Sequence, residues 1–484
     1  MTIERLRAVP YERQVLVIYI VAIFMTVIDG TMVNVALPTM AADFGVRPSD
    51  AEWIAVGYLL AVASVIPAAG WLGDRFGTKR VFAGSLLAFT IVSLLCGVAG
   101  SLEQLVAFRV LQGVGGGLMT PVGAAMLYRA FPMHRRATAA TAVLGVAVVA
   151  PAIGPLIGGL LVDQASWRWI FLINLPVGAV GLVMAVVAIR EERQAVVGRL
   201  DVIGLVLTGG SIALVIYTMT IGPEQGWTAP RVMFTGTVGV VGLVVAVWFE
   251  RRADEPALLL RLFQDRLFRT MNLASSSIYA GFFGLIFVLP VYLQSLRGFS
   301  ALESGLASSP QAFGVLLVSN LFGKRAYRSI GPRRLMVWGT AAAATITGWF
   351  ATFDLDTPLL VVGASSFARG LAIGLVFVSI QTGVYATTSM ADTGRATSLF
   401  NTQRQVSYAV GTALAATVLA AGLAGLADTA TAVERLSAHR AAFLAVGFVM
   451  VPGIVASWWL RDDDVAATRV AAVEAAGDRA VRSS

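Results

Sequence analysis

Cysteine and histidine are almost missing from this chain. Cys96 is the single cysteine among 484 residues, so no intrachain disulfide can form. His134 and His439 are the only histidines, too few for a His/Cys metal site, and no metal is expected. Charge is scarce too, at 13% of residues against about 25% in a soluble domain. Lysine is limited to Lys79 and Lys324 among 36 basic residues, the bias of a GC-rich, bacterial genome. The loops between apolar runs stay below about 25 residues on the span lengths a bilayer requires. That leaves no room for a soluble catalytic or receptor domain. No His/acid pair, nucleophile motif or metal set is present, so an enzyme is not expected. The first apolar run, from about Gln14, is too long for a signal-peptide core and lacks an A-x-A site after it.

Apolar residues are what the chain has. They make up 57%, and the mean hydropathy is +0.78. Fourteen helices of ~20 residues need ~280 residues, which this composition supplies. The fold class read from the sequence is therefore an all-α polytopic membrane protein, since helices satisfy their own backbone in lipid. Charged punctuation delimits spans at 15–37, 52–72, 81–99, 103–127, 137–161, 168–188, 202–221, 231–249, 270–293, 303–323, 333–352, 358–384, 396–422 and 440–460. An even count puts both termini on one side. The terminal segments and even-to-odd loops hold 27 of the 36 Lys and Arg, the opposite loops six, and three lie inside spans. Cytoplasmic loops carry the positive excess, so both termini are expected in the cytoplasm. The net charge of +8 is then topological, and nucleic acid is not expected as a partner.

The chain repeats itself weakly. Gly70-Trp-Leu-Gly-Asp74-Arg75-Phe-Gly77-Thr-Lys79-Arg80 follows span 2, and Gly323-Lys-Arg-Ala-Tyr-Arg-Ser-Ile-Gly331-Pro-Arg333-Arg334 follows span 10. Arg109 with Gly113 in span 4 is echoed by Arg369 with Gly374 in span 12. Two six-helix halves, 1–190 and 266–460, with two inserted helices in 191–265 and a cytoplasmic tail at 461–484, give this spacing. Repeated halves of this kind enclose a midplane site and rock around it.

With these motifs the sequence resembles the major facilitator superfamily, and within it the fourteen-span drug:proton antiporters of the EmrB/QacA type. The marks run in order along almost the whole chain. They are Asp29-Gly-Thr31-Met-Val-Asn34-Val-Ala-Leu-Pro38 in span 1, the 70–80 loop, and Arg109-Val-Leu-Gln112-Gly113-Val-Gly115 in span 4. Gly145 and Gly154-Pro155-Leu-Ile-Gly158-Gly159 follow in span 5, and Trp167-Arg168-Trp-Ile-Phe-Leu-Ile-Asn174-Leu-Pro176-Val-Gly178 opens span 6. The resemblance implies a major facilitator fold with a 6+2+6 helix plan.

Asp29 is the only acid deep inside an apolar span. A charge at a helix centre costs about 2.5–3.5 kcal/mol on insertion scales, and burial disfavours the charged form of a carboxylate. Asp29 is therefore a candidate proton carrier, or else a helix contact bonded to Asn34 or Thr31. Arg109 lies at a matching depth, about 9 Å against about 12 Å from the same side, and is its natural partner. The resemblance gives this arginine a role in proton coupling; the alternative is a static strut. Asp74 is placed by the resemblance at the start of span 13, where a helix dipole favours an anion, with Arg75 and Arg80 adding ion pairs to a gate. The other reading of that loop is a tight turn and topology signal. Gly145, Gly154, Gly158 and Gly159 permit close backbone approach, and Pro151 and Pro155 kink their helix. The expected partner is span 10, through Ser304, Gly305, Pro310 and Gly314, and the resemblance links this motif to export.

Candidate substrate contacts are Asn34, Tyr58, Gln112, Tyr279, Phe283, Gln311, Phe313, Gln381 and Asn401, each of which also has a plain packing role open to it. Arg369 and Arg404 lie deep in spans 12 and 13 with no buried acid in their half. They serve either as structural donors to carbonyls and neighbours such as Gln403 and Gln405, or as contacts for an anionic or zwitterionic substrate group. The expected function is proton-coupled export of small amphipathic compounds or drugs across the cytoplasmic membrane, with a dedicated exporter or flippase of one metabolite or lipid as the alternative. Protons are the coupling ion and no cofactor is expected. Membrane lipid and a small amphipathic substrate are the expected partners, and no obligate protein partner is evident.

Overall fold

The computed structural model describes residues 9–132, 135–193, 201–252, 258–424, 426 and 431–465. Fourteen helical stretches follow one another: α1 (Tyr11–Phe44), α2 (Trp53–Phe76), α3 (Thr78–Gly97), α4 (Leu102–Ala130), α5 (Arg136–Gln164), α6 (Trp169–Ala188), α7 (Val202–Gln225), α8 (Pro230–Glu250), α9 (Arg266–Leu296), α10 (residues 301–329), α11 (Pro332–Trp349), α12 (Leu359–Gly383), α13 (Thr393–Leu423) and α14 (Ala432–Trp458). Eleven of the helices among the described residues are long and apolar enough to cross a membrane. α5, α10 and α11 stand outside that set. α10 is broken into four pieces: Ala301–Ser308, Pro310–Val318, a π-helical turn at Ser319–Gly323 and Lys324–Ser329 succeed one another. Pro310 lacks the N–H that a continuous helix would need there.

The ends were harder to read than the spans. α1 runs seven residues past its expected end and stops at Gly45, whose φ of 65° is open to glycine. α14 begins eight residues early, at a Thr431/Glu434 capping box. Glu303, the acid of span 10, likewise belongs to a capping box with Ser300. Hydropathy does not register such polar first turns. Of the expected 461–484 tail, Asp462–Val465 forms a short 3₁₀ turn, and 466–484 lie outside the described residues.

The repeat in the sequence has a structural counterpart. Gly77 and Gly331 both turn at positive φ, 97° and 90°, just before α3 and α11. Two residues on in each case, a carboxylate caps the new helix. Glu191 Oε1 accepts from Lys79 N at 3.2 Å, and Asp462 Oδ1 accepts from Arg333 N at 3.1 Å. The anion sits where the helix dipole favours it. Each carboxylate lies just beyond the last helix of its group of six, so it ties that end back to the third-helix start.

α1 packs on α4, α5 and α6, α2 on α4, and α3 on α4 and α6; α9 packs on α13 and α14, and α12 on α10 and α11. These groups meet along two seams, α2 and α4 against α13, and α5 against α10 and α12. α7 pairs with α8 and lies against both α2 and α13. A Cβ on Gly209 of α7 would collide with the Ser64 carbonyl of α2, and Trp227 Nε1 donates to Thr417 Oγ1 of α13 at 2.9 Å. The inserted pair therefore covers the α2–α13 seam.

Candidate functional site

The first polar cluster is fully buried and spans five helices. Asp29 on α1 is 0% exposed and Arg109 on α4 is 1% exposed. Arg109 Nη1 donates to Asp29 Oδ2 at 2.6 Å and to Gln112 Oε1 at 2.7 Å. Its Nε donates to the Ile54 carbonyl of α2 at 3.2 Å, and its guanidinium lies over the Tyr58 ring, 4.1 Å from the centroid. The other carboxylate oxygen, Asp29 Oδ1, accepts from Asn174 Nδ2 of α6 at 3.0 Å and from Gln112 Nε2 at 3.4 Å. Asn174 also donates to Ser93 Oγ of α3 at 3.1 Å, and Ser93 donates to the Phe171 carbonyl at 2.9 Å.

The pair that matched depths suggested is thus in direct contact, and neither Asn34 nor Thr31 is Asp29's partner. Asn34 is exposed, and Thr31 donates to carbonyls of its own helix. Gln112 and Tyr58, read as candidate substrate contacts, belong to this network. An amide or ring inside an apolar span carries no sign of which way it faces. Asn174 and Ser93 were not read as site residues. The signal for Asn174 was available, since an amide opens the apolar run of α6.

Every full-length polar bond in this network ends on a partner. Taking away one member of a buried ion pair costs about 3–5 kcal/mol, because a charge is left uncompensated. Protonating Asp29 does the same thing chemically: the carboxylate loses its charge, and Arg109 keeps Gln112, Ile54 and Tyr58 but loses its anion.

The second cluster joins α2, α4 and α13. Asp74 Oδ1 accepts from Arg129 Nη2 at 2.8 Å, with both side chains buried. Asp74 also faces Gly394 in the first turn of α13, where an added Cβ would stand 3.3 Å from its Oδ1. A Cβ on Gly70 would stand 2.9 Å from the Gly394 carbonyl and Arg395 Cα, so only glycine lets α2 come this close. The expected ion pairs of Arg75 and Arg80 are not of this kind. Arg80 pairs at 3.5 Å with Glu191 of its own half and is largely exposed. Arg75 is exposed and makes no ion pair among the described residues. The arginine that serves Asp74 is Arg129, one helix away. Nearby, Tyr128 Oη donates to the Gln381 carbonyl at 3.3 Å, Thr397 Oγ1 to the Pro121 carbonyl at 3.3 Å, and Arg261 pairs with Asp392 at 3.0 Å. The bundle is closed at this end.

The α5 glycines divide between two partners. Gly145 faces Leu316 of α10. Gly154 faces Thr31 and Gly158 faces Met32, both on α1, and Gly159 faces open space. Nine residues at about 100° each put Gly145 on the side opposite Gly154, so one stripe cannot serve α10 alone. Gly314 of α10 faces α12 at Phe367 and Leu371, rather than α5. α5 continues as one helix through Pro151 and Pro155, whose side chains lie outside the described residues. A cavity of about 360 Å³ opens on this seam, lined by Phe24, Ala142, Gly145, Val146, Val149, Leu316 and Asn320.

Arg369 and Arg404 part company. Arg369 is 0% exposed and bonded to three neutral acceptors, at 2.8 Å from Thr347 Oγ1, 2.8 Å from Gln311 Oε1 and 3.0 Å from the Gly281 carbonyl. Gln311, read as a candidate substrate contact, is one of these acceptors. Tyr279 and Phe283 join an aromatic cluster with Phe377, Phe400 and Tyr408. Asn401 donates to Thr397 of its own helix, and Phe313 is 62% exposed.

Comparison with known proteins agrees with this architecture. The model of the Major Facilitator Superfamily matches residues 19–412. The chain is 36% identical over 411 residues to the multidrug resistance protein B homolog of Mycobacterium tuberculosis (strain ATCC 25618 / H37Rv), covering 83% of this chain and 75% of that one. It is 32% identical over 419 residues to the multidrug export protein EmrB of Escherichia coli (strain K12), covering 84% and 81%. The crystal structure of the human organic anion transporter MFSD10 superposes with a TM-score of 0.67 at 13% identity, covering 93% of this chain and all of that one, a likeness of fold. The chain belongs to the Major Facilitator Superfamily, in the branch of these multidrug-resistance and multidrug-export proteins.

Proposed function

We propose that this protein exports small amphipathic compounds of more than one kind across the cytoplasmic membrane, in exchange for protons. The observation that carries the reading is the buried Asp29–Arg109 pair, a titratable group held where a charge is costly. The names of the relatives support the export of drugs. Transport, rather than catalysis, is the activity that an all-helical chain with a charge pair in its core supports. In this reading 1–190 and 266–460 are the rocking halves of a fourteen-span chain, 191–265 is an insertion between them, and no cofactor takes part beyond the proton.

The coupling works through the ion pair. With Asp29 ionised, α1, α4 and α6 are held together through its two oxygens. With Asp29 protonated, that clamp is weaker and the N-terminal half favours a different arrangement. Substrate binding and proton binding then bias opposite-facing states, and a ligand shifts such an equilibrium only by its differential affinity for the two. The Asp74 cluster is the latch of one state: Asp74, held by Arg129 within the N-terminal half, meets the first turn of α13 at Gly394 only while α2 and α13 are together. The 27-to-six charge asymmetry supports placing this latch and both termini in the cytoplasm.

Purified protein in liposomes under an imposed pH gradient tests the coupling. Asp29→Asn keeps the shape and one acceptor, and is expected to fold yet lose gradient-driven efflux to the level of empty liposomes. Efflux at the wild-type rate would remove Asp29 from the mechanism. The latch has its own test: Asp74→Asn is expected to lower transport severalfold per folded molecule at unchanged expression, whereas wild-type rates would reduce the motif to a turn. Orientation is checked with reporters placed after Ser484 and between residues 424 and 431, which are expected on opposite sides of the membrane. Both on one side would break the fourteen-span count.

A further inference from the structure

Both oxygens of Asp29 face hydrogen-bond donors, so a proton arriving there meets no acceptor. Oδ2 lies against Arg109 Nη1 at 2.6 Å, and a guanidinium donates without accepting. Oδ1 is met by two amide nitrogens, Asn174 Nδ2 at 3.0 Å and Gln112 Nε2 at 3.4 Å. A proton on Oδ1 is therefore satisfied only if one of these amides turns its carbonyl oxygen toward it. The two amides differ in their freedom to do so. Gln112 Oε1 is held by Arg109 Nη1 at 2.7 Å and by the Cys96 thiol at 3.7 Å. Turning Gln112 over would set its N–H groups against that guanidinium. Asn174 Nδ2 has Ser93 Oγ as its other partner, at 3.1 Å, and a hydroxyl both accepts and donates. Ser93 now donates to the Phe171 carbonyl at 2.9 Å, and it can donate instead to an oxygen standing where Nδ2 stands. The titratable or charged groups around Asp29 among the described residues are Arg109 of α4, Tyr58 of α2 and Cys96 of α3. α5 faces this stretch of α1 through Gly154 and Gly158.

We propose that Asn174 is the positioning residue of proton uptake: its side-chain amide turns over when Asp29 is protonated. The proposal rests on the coupling reading and names the group that answers the proton. With Asp29 ionised, Asn174 Nδ2 donates to Asp29 Oδ1 and to Ser93 Oγ. With the proton added to Oδ1, the new hydroxyl donates to Asn174 Oδ1, and Ser93 reverses its bond to donate to the same atom. Arg109 and Gln112 keep their places. Asn174 and Ser93 are 2% and 0% exposed, so bulk water does not stand in for the missing acceptor. An unmade bond at such a site costs about 1–3 kcal/mol, which the turned amide avoids. The Phe171 carbonyl gives up its Ser93 partner in exchange. Phe171 and Asn174 lie in the first turns of α6 and Ser93 lies on α3, so these two helices are the ones that register the proton.

The test is infrared difference spectroscopy, acid minus neutral, of the full-length protein in lipid, with carbon-13 in the side-chain carbonyl of its asparagines. Wild type is expected to show a protonated carboxyl band and, with it, an amide carbonyl feature that moves on labelling. Both are expected to vanish in Asp29→Asn. Asn174→Leu is expected to lose the label-sensitive feature and to keep the carboxyl band at a higher wavenumber, because its O–H has lost the acceptor. The same variant is expected to slow proton-driven efflux about tenfold, the order of one hydrogen bond to a charged group. Asn174→Ser, whose hydroxyl donates or accepts, is expected to recover part of that rate. A carboxyl band in wild type without any label-sensitive amide feature overturns the proposal and leaves the coupling reading standing. A carboxyl band at the wild-type position in Asn174→Leu does the same. Absence of any carboxyl band in wild type overturns both. Should Asn174→Leu not fold, the labelled wild-type spectrum decides, since it needs no variant.

Discussion

A carboxylate and a guanidinium shut away from water must satisfy each other, and the first six helices are arranged around that requirement. Asp29 uses both oxygens, one toward Arg109 and one toward Asn174 and Gln112. Arg109 in turn reaches α2 through the Ile54 carbonyl and the Tyr58 ring. α1, α2, α4 and α6 thus share one charge pair, and α3 is attached through Ser93. Such a network is costly when incomplete, so a change in Asp29's protonation is felt by all five helices at once. A pair on one helix would not have that reach.

The second six helices repeat the plan without the acid. Arg369 sits where the repeat places it, but its partners are a hydroxyl, an amide and a carbonyl. No proton can switch that set near neutral pH, and it braces α9, α10, α11 and α12. The shared helix-start caps at Glu191 and Asp462 show that the frames are alike, while their cores differ in chemistry. In the mechanism proposed above, the half that holds Asp29 is the one that senses protons. The inserted α7 and α8 cover only the α2–α13 seam, so the α5–α10 seam with its cavity is the side left uncovered.

Hydropathy and charge made much of this legible. The helix order, the deep position of Asp29 and its match with Arg109 follow from counting residues along apolar spans. Direction around a helix was not legible. Gln112 and Tyr58 were placed in a pocket because nothing in a sequence says which neighbour an amide or ring faces. The α5 glycines were given one partner although Gly145 and Gly154 point to opposite sides. Arg129, which pairs with Asp74, carries no distinguishing mark among the basic residues at helix ends, and only the start of span 13 is expected from the sequence to face that carboxylate. Arg369 and Arg404 look alike as lone cations, and only the packing shows that Arg369 is bonded to three neutral acceptors.

Proton coupling as proposed requires Asp29 itself to gain and lose a proton inside the folded protein. Infrared difference spectra of the protein in lipid, acid minus neutral, report this through the stretch of a protonated carboxyl group. One such band is expected in wild type and is expected to be missing from Asp29→Asn. Superimposable difference spectra from the two proteins would contradict it.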